Sequence, residues 1–220
     1  SVEKNLTVDR YSPSARFVLP LDVNKSGISY ITSISGTALD NWTNSNAEVY
    51  LAMQKLDSPQ KWYDGTSNLF DNPTGPLWLS IKDLGTLSPN ATSWSFAPAG
   101  LDAKFTATQP ETNRYLLLVK TRDTAGNEQN GFTDNVSSVV ITIDKQPPSS
   151  YISRPVDDGG AGGSTGRYKA LNIGKVGSGS RFYGTSNDLY YALNNSTVSA
   201  VDVRLSYLSG PDTWYWQLPA

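Results

Sequence analysis

Six side chains carry the oxygen donors of greatest chemical interest: Asp9, Asp40, Asp123, Asn127, Asp144 and Asp188. Carboxylate and amide oxygens are hard ligands, and Ca²⁺ gathers about six to eight of them at about 2.3–2.6 Å. Their spacing is not random. Asp9 and Asp144 lie 135 residues apart in matching surroundings, Thr7-Val8-Asp9 and Thr142-Ile143-Asp144. Asp40 and Asp188 lie 148 apart, closing Gly36-Thr37-Ala38-Leu39-Asp40 and Gly184-Thr185-Ser186-Asn187-Asp188. Donors that recur at such a spacing point to a structural ion at a recurring place. The competing reading is turn chemistry, because Asp and Asn satisfy nearby backbone N–H groups and favour turns without any ion. In Asp123-Thr124-Ala125-Gly126-Asn127, Gly126 and Asn127 would then supply the positive φ of a hairpin turn.

Other chemistry has less material. The chain has neither Cys nor His, which removes disulfides, thiol nucleophiles, His-based triads and the usual zinc or copper ligands. Asp157-Asp158 stand in a Gly-rich stretch without a partner acid or base. That stretch also lacks the Lys-Ser/Thr of a phosphate loop. No catalytic residues are expected. Six Trp and twelve Tyr raise a second possibility, since exposed aromatic rings stack on sugars and anchor interfaces. Trp42, Trp62, Tyr63 and Trp78 lie in or beside long connections, and Trp214-Tyr215-Trp216 lies near the last residue. Packing between layers is the plainer role for them. A third device is an intramolecular amide bond, with Lys120 or Lys104 as donor and Glu48 as the assisting acid, although no motif selects these residues.

Eighteen basic against twenty acidic residues leave a net charge of −2. Phosphate binding needs a clustered positive field, so nucleic acid is not an expected partner. An apolar run such as Tyr115–Val119, which no other run exceeds, is far too short to span a membrane.

The elements that must position these residues repeat. Residues 49–63 align without a gap on residues 201–215, at a spacing of 152: Val49/Val201, Leu51/Val203, Met53/Leu205, Leu56/Leu208, Pro59/Pro211 and Trp62-Tyr63/Trp214-Tyr215. Alternating apolar residues, a Pro-containing turn and an aromatic pair describe one strand running into the next. The spacing grows along the unit, mainly through Asp157–Gly166, which reads as an enlarged surface loop. Self-similarity at long period signals an array of modules. The expected organisation is a terminal strand of a preceding repeat over 1–9, a complete β-sandwich over 10–145, and a partial second repeat with early strands only over 146–220. Seven strands are expected in the complete module: 14–19, 28–35, 48–54, 77–82, 92–96, 114–122 and 136–143. Val49, Leu51 and Met53 should point inward, and Tyr50, Ala52 and Gln54 outward. Leu116-Leu117-Leu118-Val119 is apolar on both faces and should lie centrally in its sheet.

This order of strands resembles the bacterial immunoglobulin-like repeats of large surface and adhesin proteins. The motifs are Gly36–Asp40, Trp94-Ser95-Phe96, Arg114-Tyr115, Asp123–Asn127, and Thr142-Ile143-Asp144 followed by Pro147-Pro148. The resemblance implies an all-β fold of tandem immunoglobulin-like sandwiches. It implies a non-enzymatic, extracellular, cell-surface role in a stalk, fibre or filament. The partners it implies are neighbouring repeats, adjacent fibre subunits, or a surface glycan or host protein. In such a sandwich the loops after the second and sixth strands share one end with the entering chain. Asp9, Asp40, Asp123 and Asn127 would therefore converge on a structural Ca²⁺, and Asp144 and Asp188 would repeat it. Tyr115 would be a tyrosine corner. The alternative role is a carbohydrate-binding or accessory module of a secreted hydrolase.

Overall fold

The computed structural model describes residues 8–21, 27–40, 48–81, 93–107, 113–154, 183–188, 198, 200–204 and 206–215. The expectations for 1–7, Trp42, the Asp157–Gly166 loop, Leu205 and Trp216 lie outside the described residues. Among the described residues the chain divides into two compact units between Gln146 and Pro147.

The first unit is built from strands. They are β1 (Ser14–Leu19), β2 (Ile34–Leu39), β3 (Glu48–Lys55), β4 (Lys61–Asp64), β5 (Leu69–Asn72), β6 (Leu79–Ser80), β7 (Ser93–Phe96), β8 (Arg114–Arg122) and β9 (Ser138–Thr142). A one-turn helix, α1 (Leu101–Lys104), follows β7. Two antiparallel sheets result. One has the order β1-β2-β7, and the other β5-β4-β3-β8-β9, with β6 beside β3.

Alternation explains which faces meet. On β7, Trp94 and Phe96 are buried while Ser93 and Ser95 are exposed. On β8, Tyr115, Leu117, Val119 and Thr121 are buried, with Leu116 and Leu118 between them only half-covered. β8 pairs with β3 on one side and β9 on the other, the central place expected of an apolar run. Inward residues of both sheets, including Phe17, Ile34, Trp94, Leu51, Leu117 and Ile141, form one buried cluster. Each such side chain contributes about 1.5–3 kcal/mol on leaving water. Ala52 is fully buried as well, against expectation, because β3 is an interior strand and a methyl group fits on its outer face.

Two elements differ from the sequence reading. The strand expected over 28–35 lies later, at Ile34–Leu39. The earlier residues do other work. Ile28 pairs in parallel with Ile143, and the Ile31 N–H donates to Asp102 Oδ1 at 3.0 Å. Neither leaves that segment free to run in the sheet. The strand expected over 77–82 shrinks to Leu79–Ser80. In addition, Tyr63, expected in or beside a long connection, lies in the β4–β5 hairpin, where Asn68 takes a positive φ of 58°. Tyr63 is buried there and donates from its hydroxyl to Asn68 Oδ1 at 3.0 Å.

The second unit contains two antiparallel strand pairs, β10 (Ser149–Arg154) with β11 (Tyr183–Asn187), and β12 (Ser206–Ser209) with β13 (Asp212–Tyr215). The first pair reproduces β1–β2 residue by residue. Ser14, Ala15, Arg16, Phe17 and Leu19 pair with Leu39, Ala38, Thr37, Gly36 and Ser35. Ser149, Ser150, Tyr151, Ile152 and Arg154 pair with Asn187, Ser186, Thr185, Gly184 and Tyr183. The register shift falls at the same step in both. The second pair departs from its counterpart. Gln54 pairs with Trp62, but Ser206, its equivalent, pairs with Tyr215, one residue further on. The cause is the turn: Gly210 at φ 63° lets Gly210-Pro211 close a two-residue hairpin, whereas Ser58 stands in the glycine's place in the longer first-unit connection.

Candidate functional site: an acidic cluster where the chain enters the first unit

Three of the six candidate donors come together. Carboxylate oxygens of Asp9, Asp40 and Asp123 all lie within 4.8 Å of one another. Asp9 belongs to the entering segment, Asp40 follows the last residue of β2, and Asp123 follows the last residue of β8. Asp9 and Asp40 are half-buried and Asp123 is buried. Like charges this close repel one another, and a cation shared between them removes that cost.

Local bonding holds Asp123 in place. The Asn127 N–H donates to Asp123 Oδ1 at 2.8 Å, and Asn127 Nδ2 donates to Asp123 Oδ2 at 2.8 Å. The Asp123 N–H in turn donates to the Asn127 carbonyl at 3.0 Å. The positive φ of this turn belongs to Gly126, at 94°, while Asn127 acts through its side chain. Turn chemistry is therefore present in full at this loop. Asn127 also points Nδ2 at the Asp9 carbonyl, at 3.4 Å. To ligate a cation it would have to turn its Oδ1 inward. The three carboxylates already offer the hard oxygens Ca²⁺ prefers, so the donor set fits that ion.

Asp144 is not one of the three carboxylates of this cluster, and Asp188 belongs to the second unit. Asp144 repeats one detail of Asp9. Asp9 Oδ1 accepts from the Tyr11 N–H at 3.0 Å, and Asp144 Oδ1 accepts from the Gln146 N–H at 3.0 Å. Asp188 is half-buried after β11.

The exit of the first unit carries a clamp that the sequence did not signal. Lys145 Nζ donates to Asp102 Oδ2 at 2.8 Å and to the Asp102 carbonyl at 3.0 Å. Burial works to raise the Asp102 pKa. The Lys145 hydrogen bond, the Ile31 N–H and the Lys145 charge outweigh it and hold the carboxyl below its ordinary value. The Ile28 N–H donates to the Thr142 carbonyl at 2.8 Å, and the Asp144 N–H donates to the Ile28 carbonyl at 3.1 Å. The Phe17 N–H reaches the Val136 carbonyl at 2.8 Å. The segments nearest the start of the unit are thus bonded to its last strand.

The aromatic candidates separate by role. Tyr63 is core. Tyr115 is fully buried against Phe70 and Phe105. Its hydroxyl donates to the Thr106 carbonyl at 3.2 Å and accepts the Thr106 N–H at 3.0 Å. Trp78 stacks on Phe132 with centroids 5.8 Å apart, and Lys120 Nζ sits 4.7 Å from the Trp78 ring centre. Trp62 is half-buried on β4, and Tyr215 lies under the Arg204 guanidinium, 4.0 Å from its ring centre.

Lys120 also pairs with Glu128 at 3.1 Å. Glu48 accepts from Arg122 and from the Tyr50 hydroxyl. Burial, then the Glu48 hydrogen bond and charge, raise the Tyr50 phenol to about 12. Lys120 and Glu48 therefore meet other partners rather than one another in these contacts. No described helix is long and apolar enough to cross a membrane.

Comparison of the chain with protein-family models, with curated proteins and with solved structures finds no match.

Proposed function

We propose that this chain is a non-enzymatic structural segment of a bacterial cell-surface stalk, fibre or adhesin, made of tandem immunoglobulin-like β-sandwich repeats that bear load outside the cell. One observation carries the reading: the β1–β2 pairing recurs as β10–β11 with its register and its irregularity on the far side of Pro147-Pro148. A protein that rebuilds the same strand pair after a short Pro-Pro segment is extending an array. Pro147 and Pro148 fix φ, and the Lys145–Asp102 pair holds the chain two residues before them.

The bonding of the first unit suits tension. A pull between Asp9 and Lys145 loads the parallel Ile28–Ile143 contact and the Phe17–Val136 bond lengthwise, so several hydrogen bonds must break together. Ca²⁺ at Asp9, Asp40 and Asp123 belongs to this reading as its structural cofactor, stiffening the place where the chain enters.

Single-molecule pulling on the 220-residue protein tests the proposal. The first unit is expected to give one discrete unfolding peak. Gradual extension without a peak, or hydrolytic activity on polysaccharide, would count against it.

A further inference from the structure

Gln129 ties the connection between β8 and β9 to the first strand. Its N–H donates to the Thr121 carbonyl at 3.0 Å. Its Oε1 accepts the Ala15 N–H of β1 at 2.7 Å, and its Nε2 donates to the Gly131 carbonyl at 2.9 Å. Asn130 stands between these two residues, and both Asn130 and Gly131 are exposed. They form the one Asn-Gly step in the sequence. Such a step ordinarily closes a hairpin, with positive φ at both residues. Here neither residue has a positive φ, so a turn does not account for the pair. Among the described residues, the Gly131 N–H donates no hydrogen bond and the Asn130 side-chain amide makes none. The space around Gly131 is open, since a Cβ there would meet nothing within 4 Å beyond its chain neighbours.

We propose that Asn130 is a site of self-modification, at which the folded chain converts its own asparagine to isoaspartate and aspartate and thereby loosens β1. The Gly131 main-chain nitrogen gives up its proton to solvent base and attacks the Asn130 side-chain carbonyl carbon. The C–Nδ2 bond breaks, and ammonia leaves with a proton from solvent. The five-membered imide that results is opened by water. Addition at the main-chain carbonyl gives isoaspartate, and addition at the side-chain carbonyl gives aspartate. The net change is amide plus water to carboxylic acid plus ammonia, with no oxidant or reductant. Three features permit it: an unbonded nucleophile, an unbonded electrophile, and a following residue without a side chain to crowd the ring. Asp64-Gly65 is the internal contrast. Asp64 Oδ1 already accepts the Thr66 N–H at 2.7 Å, and Leu79 packs against Gly65. Isoaspartate carries the main chain through Cβ, which adds one carbon between Asn130 and Gly131. That shift draws the Gly131 carbonyl away from Gln129, and the new carboxylate joins Glu128 and Asp134 in the same connection. Gln129 then holds Ala15 less well. The chemistry does not depend on the chain bearing load, so it and the proposed function can fail separately.

The test incubates the intact, folded 220-residue protein in mildly alkaline buffer and maps its peptides by mass spectrometry over time. The peptide containing Asn130 is expected to gain about 1 Da, as NH₂ gives way to OH. It should do so before a peptide containing any other described asparagine, and an isoaspartate-specific carboxyl methyltransferase should label the product. Gly131→Ala fits the open space, so folding is not at risk, and it should slow the gain at least tenfold. Amide exchange at Ala15 should be several-fold faster in the aged protein than in fresh protein, while aged and fresh Gly131→Ala should match. Conversion only after unfolding in urea, an equal rate in Gly131→Ala, or Ala15 exchange unchanged by conversion would each overturn the proposal.

Discussion

Gly36 lies so close to the carbonyl oxygen of Arg16 on the neighbouring strand that a Cβ at position 36 would overlap it. The Trp94 ring closes the other side of the same position. Gly184 stands in the same relation to the Tyr151 carbonyl, where a Cβ would lie at 2.5 Å. Both glycines sit in strand interiors, where glycine ordinarily weakens a sheet. Close backbone approach is the compensating reason in each repeat, and it accounts for the Gly-Thr motif without any ligand.

Gly36→Ala should therefore destabilise the first unit by about 2–3 kcal/mol or more, since the obstacle is backbone on one side and a buried indole on the other. Urea denaturation followed by Trp fluorescence reads this as a lower midpoint with an unchanged slope. Gly184→Ala should loosen β10–β11 while leaving that midpoint in place, which amide exchange over Tyr151 and Thr185 would register. A Gly36→Ala midpoint equal to that of the parent would contradict the packing argument.

The Lys145–Asp102 pair makes the exit of the first unit sensitive to acid. The Asp102 carboxyl is held below its ordinary value in the folded protein, so the folded state binds its proton less readily than the unfolded state. Its contribution is complete above the unfolded carboxylate pKa of about 3.9 and is lost as pH falls through the depressed folded value. Asp102→Asn keeps an oxygen for the Ile31 N–H but loses the ion pair. It should cost about 1 kcal/mol at neutral pH. The difference from the parent should shrink as pH falls below about 4. A difference that stays constant from pH 7 to pH 3 in chemical denaturation would rule out this linkage.

Long strands with clean alternation were legible in the sequence, and the places that were not share a cause. Ser14–Leu19 and Arg114–Arg122 stand where expected because their periodicity is set by two faces of one sheet. Ile28 and Ile31 misled because their backbone partners are distant: Thr142 for one and Asp102 for the other. The β4–β5 hairpin was hidden by brevity, with two apolar residues per strand. Asp64-Gly65 followed by Leu69-Phe70 was the available signal, since Asp-Gly favours hairpin turns. Convergence of Asp9, Asp40 and Asp123 was expected through the resemblance to an immunoglobulin-like sandwich, whereas Lys145–Asp102 depends on where a one-turn helix settles.

The acid cluster gives the last prediction, because Asp9 separates its two readings. If Ca²⁺ binds, the folded state gains about 2.7 kcal/mol at a free concentration a hundred times the Kd. The melting temperature should then rise with added Ca²⁺ and return in chelator. Asp9→Asn keeps Oδ1 as acceptor for the Tyr11 N–H and removes one of three neighbouring negative charges. Without Ca²⁺ that variant should be as stable as the parent or slightly more so, as like-charge repulsion falls. With Ca²⁺ it should lose most of the stabilisation. Turn chemistry alone predicts a melting temperature indifferent to Ca²⁺ in both proteins. Calorimetry of the two proteins, in Ca²⁺ and in chelator, therefore decides between an ion and a set of turns. A parent protein whose melting temperature is the same in both buffers would leave Asp123 and Asn127 as a bonded hairpin loop and remove the ion from the proposed joint.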